Sequence, residues 1–124
     1  MSIELRLELF PADVDSTVAF YVGVLGFSIT KDDRPTGGRY VAVRRDGVLV
    51  GLAEAPVAGD SPEARRPPTG VEIVVEVDDV RAERDRIVAA GWPLDSDLEE
   101  RPWGLTDFRV LDPDGYYLRF TNRA

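Results

Sequence analysis

Two strand patterns open the two halves of the chain. Residues 3–9 alternate between apolar side chains at odd positions and charged side chains at even positions, which is typical of a strand with one buried face. Residues 71–77 form a second apolar run of strand length. Shorter apolar runs bounded by turn residues follow each opening segment and predict further strands at 27–30, 40–43, 48–52, 92–98, 105–111 and 115–121.

Apolar residues at helical spacing follow both opening strands. The first helix is predicted to begin after Asp13 or Asp15, either of which can cap it, and to end at Gly26. The second has the same organisation between residues 78 and 91. Each half is therefore predicted to be a β-α-β-β-β module.

The two halves also repeat in sequence. Asp-Gly pairs lie between apolar runs at Asp46-Gly47 and Asp114-Gly115, and counting seven residues back from each glycine reaches Tyr40 and Phe108. Such a repeat fixes which positions correspond in the two halves, and by this count Tyr40 corresponds to Phe108. Residues 55–70 are rich in Pro and Gly without periodicity. We therefore predict a single domain over residues 1–124, with module one at 1–54, a linker at 55–70 and module two at 71–124.

The composition removes several classes of function. The chain has no histidine and no cysteine, which excludes Ser-His-Asp catalysis, thiolate metal sites and a cysteine nucleophile. Its net charge of −8 argues against nucleic-acid binding, which needs a basic surface. No apolar run approaches the roughly 18 residues of a membrane span, and the first residues do not resemble a signal peptide. We expect a cytoplasmic protein with neither nucleic-acid nor membrane partners.

The two β-α-β-β-β halves carry two notable segments, residues 18–27 and the Asp-Pro-Asp-Gly-Tyr run at 112–116. Together they resemble the vicinal oxygen chelate superfamily, which includes glyoxalases, extradiol dioxygenases, fosfomycin-modifying enzymes and bleomycin-resistance proteins. The resemblance implies an α+β fold in which each module curls into a half-barrel, completed by dimerisation. It also implies four metal-ligand positions, on the first and last strands of each module, which the internal repeat assigns to Arg6, Gly51, Glu72 and Arg119.

These four positions are poorly suited to a metal. Arginine offers no lone pair, Gly51 has no side chain, and only Glu72 could ligate a cation. Each nearby guanidinium would also repel a cation, by about 4 kcal/mol per unit-charge pair at 4 Å with an effective dielectric near 20. We therefore predict neither a metal nor another cofactor. A separate cation site that includes Glu4, Glu8 and Glu76 stays open as an alternative.

Two interpretations of Arg6, Glu72 and Arg119 remain open, and both can hold together. The three side chains can form an internal ion-pair cluster, or the arginines can present donors to an anionic or carbonyl-bearing ligand.

Several aromatic residues are candidates for ligand binding. Trp103 precedes Asp112 by nine residues in a Trp-Gly pair; bleomycin-resistance proteins carry a similar pair, whose tryptophan stacks on the drug. The resemblance also points to Tyr40. Tyr117 shares strand parity with Arg119, and Phe108 enters through the repeat. For Tyr40 and Phe108, packing in the core or in a dimer interface is an equally good explanation.

The resemblance and the unsuitable metal positions together predict a metal-free binding protein of the bleomycin-resistance type. Such a homodimer would sequester a small aromatic or glycopeptide-like antibiotic, or a related metabolite, in a cleft at the dimer interface, without enzymatic turnover. The alternative is a lyase, isomerase or oxidoreductase of the same superfamily with a divergent or absent metal site. A third possibility is a regulatory module without a small-molecule ligand.

Overall fold

The computed structural model describes residues 2–55 and 70–123 and divides the chain into two compact units, Met1–Arg65 and Arg66–Ala124. Below, module one denotes the described residues 2–55 and module two denotes residues 70–123. Most of the predicted linker, residues 56–69, lies outside the described residues. Within the described part of the chain, no helix is long and apolar enough to cross a membrane.

Module one contains a four-stranded sheet and one helical segment. The sheet has the order β1-β4-β3-β2, in which β1 runs parallel to β4 and the other neighbours are antiparallel. A single turn of 3-10 helix, Arg34–Thr36, joins the second and third strands. The elements in chain order are β1 Arg6–Leu9, α1 Val14–Val18 continuing as a π-helix over Ala19–Val24, β2 Ser28–Asp32, β3 Tyr40–Arg45 and β4 Val48–Ala53.

Module two repeats this topology. Its sheet has the order β5-β8-β7-β6, with β5 parallel to β8. The elements are β5 Ile73–Val77, α2 Val80–Ala89, β6 Ser96–Glu100, β7 Thr106–Leu111 and β8 Tyr117–Asn122. The predicted α+β fold of two β-α-β-β-β modules is confirmed.

Equivalent residues begin and end the two helical segments. The Asp13 carboxylate accepts a hydrogen bond from the backbone N–H of Asp15, and the Asp79 carboxylate accepts one from that of Ala82. These bonds satisfy donors that a helix start leaves without intrahelical partners. Gly26 and Gly91 follow the segments with φ of 80° and 81°, a left-handed conformation that glycine adopts without steric cost.

Each helix packs against the central strands of its own sheet, and the core of each module lies between them. In module one, the Tyr21 ring meets the Phe20 and Phe27 rings edge to face, with centroids 5.1 and 5.6 Å apart. In module two, Phe108 and Phe120 stack with centroids 5.1 Å apart. The opposite face of each sheet, here called the helix-free face, carries most of the candidate site residues.

The opening strands are shorter than the alternation predicts. β1 pairs with β4 only from Arg6 onward, where Arg6 lies opposite Leu49. Residues 3–5 precede the paired part of β1. Leu5 is 76% exposed, and Val71, which has the same place in module two, is 69% exposed.

Candidate functional site

The equivalence between residues of β3 in module one and β7 in module two differs by one residue from the predicted one. Gly51 lies opposite Ala42, and its counterpart Arg119 lies opposite Arg109. Tyr40, two residues before Ala42, therefore corresponds to Asp107. The difference arises because the β7–β8 hairpin has one residue more than the Asp46-Gly47 hairpin, as the pairing of residues 112 and 116 shows. A shift of one residue moves a side chain to the other face of a sheet.

This register corrects the assignment of Phe108. The side chain was predicted to form part of the ligand-binding wall, but it lies on the helix-covered face and is completely buried against Phe120. Phe108 is a core residue of module two. Its two sequence neighbours, Asp107 and Arg109, lie on the helix-free face instead.

In module one, a carboxylate fills the space that Gly51 leaves. Glu8 lies opposite Gly51 across the β1–β4 pair. The Glu8 carboxylate forms an ion pair with Arg6 Nε at 2.8 Å and accepts a hydrogen bond from the Tyr40 hydroxyl at 3.1 Å. A Cβ added at Gly51 would overlap both the Glu8 carboxylate and the Tyr40 hydroxyl. The glycine thus allows a charged side chain to lie directly against the strand.

An open concavity of about 500 Å³ lies over this cluster. The Lys31 ammonium lies 5.6 Å from the centroid of the Tyr40 ring. Burial, and then the hydrogen bond to Glu8, raises the pKa of Tyr40 above its ordinary value, so the phenol stays protonated and can act as a donor at neutral pH. The lining residues are Arg6, Glu8, Thr30, Lys31, Asp33, Tyr40, Ala42 and Leu49.

In module two, the helix-free face is organised by a buried carboxylate. Asp107 is completely buried and pairs with Arg101 at 2.9 Å and with Arg119 at 3.5 Å. Arg119 also pairs with Glu72 at 2.9 Å. Burial alone would raise the pKa of Asp107, but the hydrogen bond and charge of Arg101, together with Arg119 and Arg109, lower it below the ordinary value. Asp107 is therefore ionised at neutral pH.

Arg109 and Tyr117 complete this face. The Arg109 guanidinium carbon lies 5.5 Å from the centroid of the Tyr117 ring. Burial raises the pKa of Tyr117, although the positive charge of Arg109 acts in the opposite direction. Arg109 is absent from the set predicted from sequence. Its position opposite Arg119 follows from the strand register. The sequence would predict this position only if the length of the β7–β8 hairpin were known.

Trp103 lies at the tip of the hairpin that joins β6 to β7. The Arg101 N–H donates to Leu105 O at 2.7 Å and the Gly104 N–H donates to Arg101 O at 3.0 Å, which closes the turn. Gly104 has φ of 90°, and the Trp103 side chain is 64% exposed. Trp103 precedes β7, with Gly104 and Leu105 between, and Tyr117 lies opposite its last residue, so the length of the strand, roughly 17 Å, lies between their positions.

The candidate residues thus fall into two groups. Arg6 and Tyr40 meet around Glu8 in module one, and Glu72, Tyr117 and Arg119 meet in module two. Trp103 stands at the opposite end of the module-two sheet from Tyr117. The residues that sequence reasoning missed are Glu8 as the filler of the Gly51 space, and Asp107, Arg101 and Arg109 around Arg119.

The four positions that the family uses for a metal do not fit one here. Gly51 supplies no ligand, and its space holds the Glu8 carboxylate. Arg6 and Arg119 are cations engaged in ion pairs. Glu4, part of the alternative cation site, pairs with Arg44 at 3.3 Å. Over residues 2–55 and 70–123, no three His, Cys, Asp or Glu side chains are grouped so that they could hold a metal ion.

The chain is an α+β protein built from two β-α-β-β-β modules, and the sheet of each module has a polar helix-free face. The chain belongs to the Glyoxalase/Bleomycin resistance protein/Dioxygenase superfamily, whose family model matches residues 5–120. No curated protein matches the chain in sequence.

Solved structures agree with this membership. TioX from Micromonospora sp. ML1 superposes with a TM-score of 0.80 at 25% identity, covering 99% of this chain and 100% of TioX. A bleomycin resistance determinant encoded on the transposon Tn5 gives 0.75 at 26% identity, covering 98% of both chains. A glyoxalase/bleomycin resistance protein from Catenulispora acidiphila gives 0.73 at 20% identity, covering 99% and 100%, and shares the fold.

Proposed function

We propose that this chain is a metal-free binding protein of the bleomycin-resistance type. It holds a small planar aromatic or glycopeptide-like molecule and sequesters it without making or breaking covalent bonds. The similarity to the Tn5 bleomycin resistance determinant over nearly the whole chain supports this direction. Sequestration confers protection by mass action, because each bound molecule is removed from the free pool.

The observation that carries the proposal is the exposure of Trp103. A large indole at the tip of a closed hairpin contributes little to the core of its own module, since most of its surface faces solvent. Loops on a rigid scaffold commonly carry binding residues, and an indole offers a wide flat surface for stacking. The Tyr117 ring, at the other end of β7, offers a second aromatic contact to an extended ligand.

The polar groups on the helix-free faces provide orientation. Arg6 in module one and Arg119 in module two each hold a carboxylate with part of the guanidinium, and charge-assisted bonds from arginine to a ligand are strong and directional. Glu72 adds a carboxylate acceptor, and the Tyr40 oxygen, whose O–H is donated to Glu8, adds a second acceptor. Binding is favoured over acid–base catalysis because Asp107, the buried carboxylate of module two, has a lowered pKa and is a weak base at neutral pH.

A second copy of the chain completes the proposed assembly. Leu5 and Val71 occupy equivalent positions beside the edge strands β1 and β5 and are both largely exposed. Exposed apolar side chains next to an open strand edge favour pairing with another subunit. Light scattering coupled to size exclusion should give a dimer for the wild-type chain and a monomer for Leu5→Glu. A monomeric wild-type protein would contradict this assembly.

Trp103 fluorescence tests the binding function. Bleomycin and a panel of planar aromatic compounds are titrated into the full-length protein, and emission is recorded. We expect Trp103→Ala to weaken binding by about 1–3 kcal/mol while leaving the unfolding transition unchanged. Trp92→Phe is the matched control: Trp92 donates its indole N–H to Leu111 O at 2.9 Å, so this variant should retain the ligand-induced quenching.

Three outcomes would overturn the proposal. Loss of folding in Trp103→Ala would show that the indole is structural. The absence of any ligand across the panel would favour a regulatory module. Turnover of a glutathione hemithioacetal or a catechol would favour the enzymatic alternative.

A further inference from the structure

Two arginines lie directly opposite each other on the helix-free face of module two. Arg109 on β7 and Arg119 on β8 are cross-strand partners in the antiparallel register. Like charges directly opposite each other destabilise a sheet. The corresponding pair in module one, Ala42 and Gly51, is uncharged, so the topology itself does not require cations at these positions.

The two guanidinium groups retain unused donors. Two nitrogens of Arg119 contact Asp107 and Glu72, but its Nε is buried without a hydrogen-bond partner. The Nε of Arg109 is also buried and unpartnered. Among residues 70–123, Arg109 has no carboxylate within ion-pair distance, and its guanidinium lies over the Tyr117 ring. A buried donor without an acceptor carries the full cost of its lost hydration.

The carboxylates of module two do not supply an acceptor for the Arg109 Nε–H. Asp107 is engaged by Arg101 through two guanidinium nitrogens, at 2.9 to 3.2 Å, and by Arg119. Glu72 is engaged by Arg119. An acceptor from outside the module would therefore satisfy donors that the module itself leaves open.

We infer that Arg109 and Arg119 together bind the carboxylate group of a planar organic ligand, with the Tyr117 ring holding Arg109 in position. A carboxylate offers two oxygens, and arginine recognises such a group with parallel N–H donors. This inference rests on the proposed binding function and names the ligand class for the same site. The proposed ligand group is negatively charged, although the chain has a net charge of −8. The net charge attracts cations over distance, whereas the local arginine donors select an anion.

A matched pair of probes tests this inference. The full-length protein is titrated with 2-naphthoate and with the neutral isostere 2-naphthamide, by calorimetry and by NMR of the arginine Nε–Hε signals. We expect wild-type protein to bind naphthoate about tenfold more tightly than naphthamide, the equivalent of one charge-assisted hydrogen bond. The Nε–Hε signals of Arg109 and Arg119 should shift with naphthoate and stay in place with naphthamide.

Arg109→Gln should abolish the preference for naphthoate while changing naphthamide affinity little. Arg123→Gln is the charge-matched control: it removes one positive charge from an exposed side chain that pairs with Asp78, and it should keep the preference. Equal binding of the two probes to wild-type protein, or a preference that survives in Arg109→Gln, would overturn the inference. If neither probe binds but other planar compounds do, this inference alone fails. If the whole panel fails as well, the proposed function fails with it.

Discussion

The two modules share one topology and use its corresponding positions in opposite ways. The central cross-strand pair on the helix-free face is Ala42 with Gly51 in module one and Arg109 with Arg119 in module two. The small pair leaves a hollow, and Glu8 fills it from the neighbouring strand. In module two the same positions carry two guanidinium groups, of which Arg119 pairs with Asp107 and Glu72.

This difference shows how corresponding positions of a repeated backbone can be unsuited to metal ligation in two different ways. In module one the last-strand position has no side chain, and the carboxylate beside it is bound by Arg6 and Tyr40. In module two the last-strand position carries a cation whose charge is balanced by acidic neighbours. Neither arrangement offers the usual ligands of a divalent ion, and the second has two arginine Nε donors without a hydrogen-bond partner.

The largest expected effect concerns the carboxylate that holds module two together. Asp107→Asn should lower the free energy of unfolding by about 3 kcal/mol, because Arg101 and Arg119 then lose the buried carboxylate that they share. Denaturant unfolding followed by circular dichroism measures the change. The control is Asp97→Asn: Asp97 forms an exposed pair with Arg84 at 2.8 Å, and its loss should cost far less, because solvent screens an exposed ion pair.

The same variant has a pH signature. The pKa of Asp107 is lower in the folded chain than its ordinary value of 3.8, so unfolding takes up a proton at acidic pH. The stability advantage of the wild-type protein over Asp107→Asn should be fully present above about pH 4 and should be lost as the pH falls through the folded-state pKa. A difference that is independent of pH between neutrality and pH 2 would mean that the Asp107 charge is not the cause.

A smaller effect is expected in module one. Gly51→Ala should destabilise the protein by about 1–2 kcal/mol, because the added Cβ displaces the Glu8 carboxylate from Arg6 and Tyr40. In a Glu8→Ala background the same substitution should cost less, and a double-mutant cycle measures this coupling. Gly23→Ala is the control, because an added Cβ meets no atom within 4 Å apart from its chain neighbours and the backbone of its own helix; it should be neutral or stabilising. Equal costs in both backgrounds would refute the filled hollow.

The smallest effect separates folding from binding in module two. Arg109→Gln should change the free energy of unfolding by less than about 0.5 kcal/mol, because the lost contact with Tyr117 is offset by the relief of repulsion from Arg119. Thermal and chemical unfolding both measure it. A large loss of stability would show that Arg109 is needed for folding. The cross-strand pair of module two would then have a structural role, as the pair in module one does.

The element order was predictable from sequence because it depends on local patterns. The alternation in residues 3–9, the helical spacing after Asp13 and the glycines at 26 and 91 each have a physical meaning without tertiary information. The repeat then gave the β-α-β-β-β topology and correctly paired Gly51 with Arg119 as corresponding positions. The family that these patterns resemble is the one to which the chain belongs.

The sheet face on which each side chain of β7 lies could not be predicted from local patterns. Counting from the Asp-Gly pairs assumed hairpins of equal length, and the additional residue in module two places Phe108 in the core and Arg109 on the helix-free face. The role of Glu8 depends on a contact across strands, and the burial of Asp107 depends on Arg101, six residues away around a hairpin. Such features arise from register and packing, and residue spacing alone does not encode them.

The central claim is that neither module holds a divalent cation and that ligand binding needs none. Its most direct test is the metal content of the full-length protein, measured by mass spectrometry after equilibrium dialysis against zinc, manganese and nickel, with ligand affinity recorded in the same samples and in chelator. We predict far less than one ion per chain and the same affinity with and without chelator. One bound ion per chain, together with ligand affinity that disappears in chelator, would contradict the account.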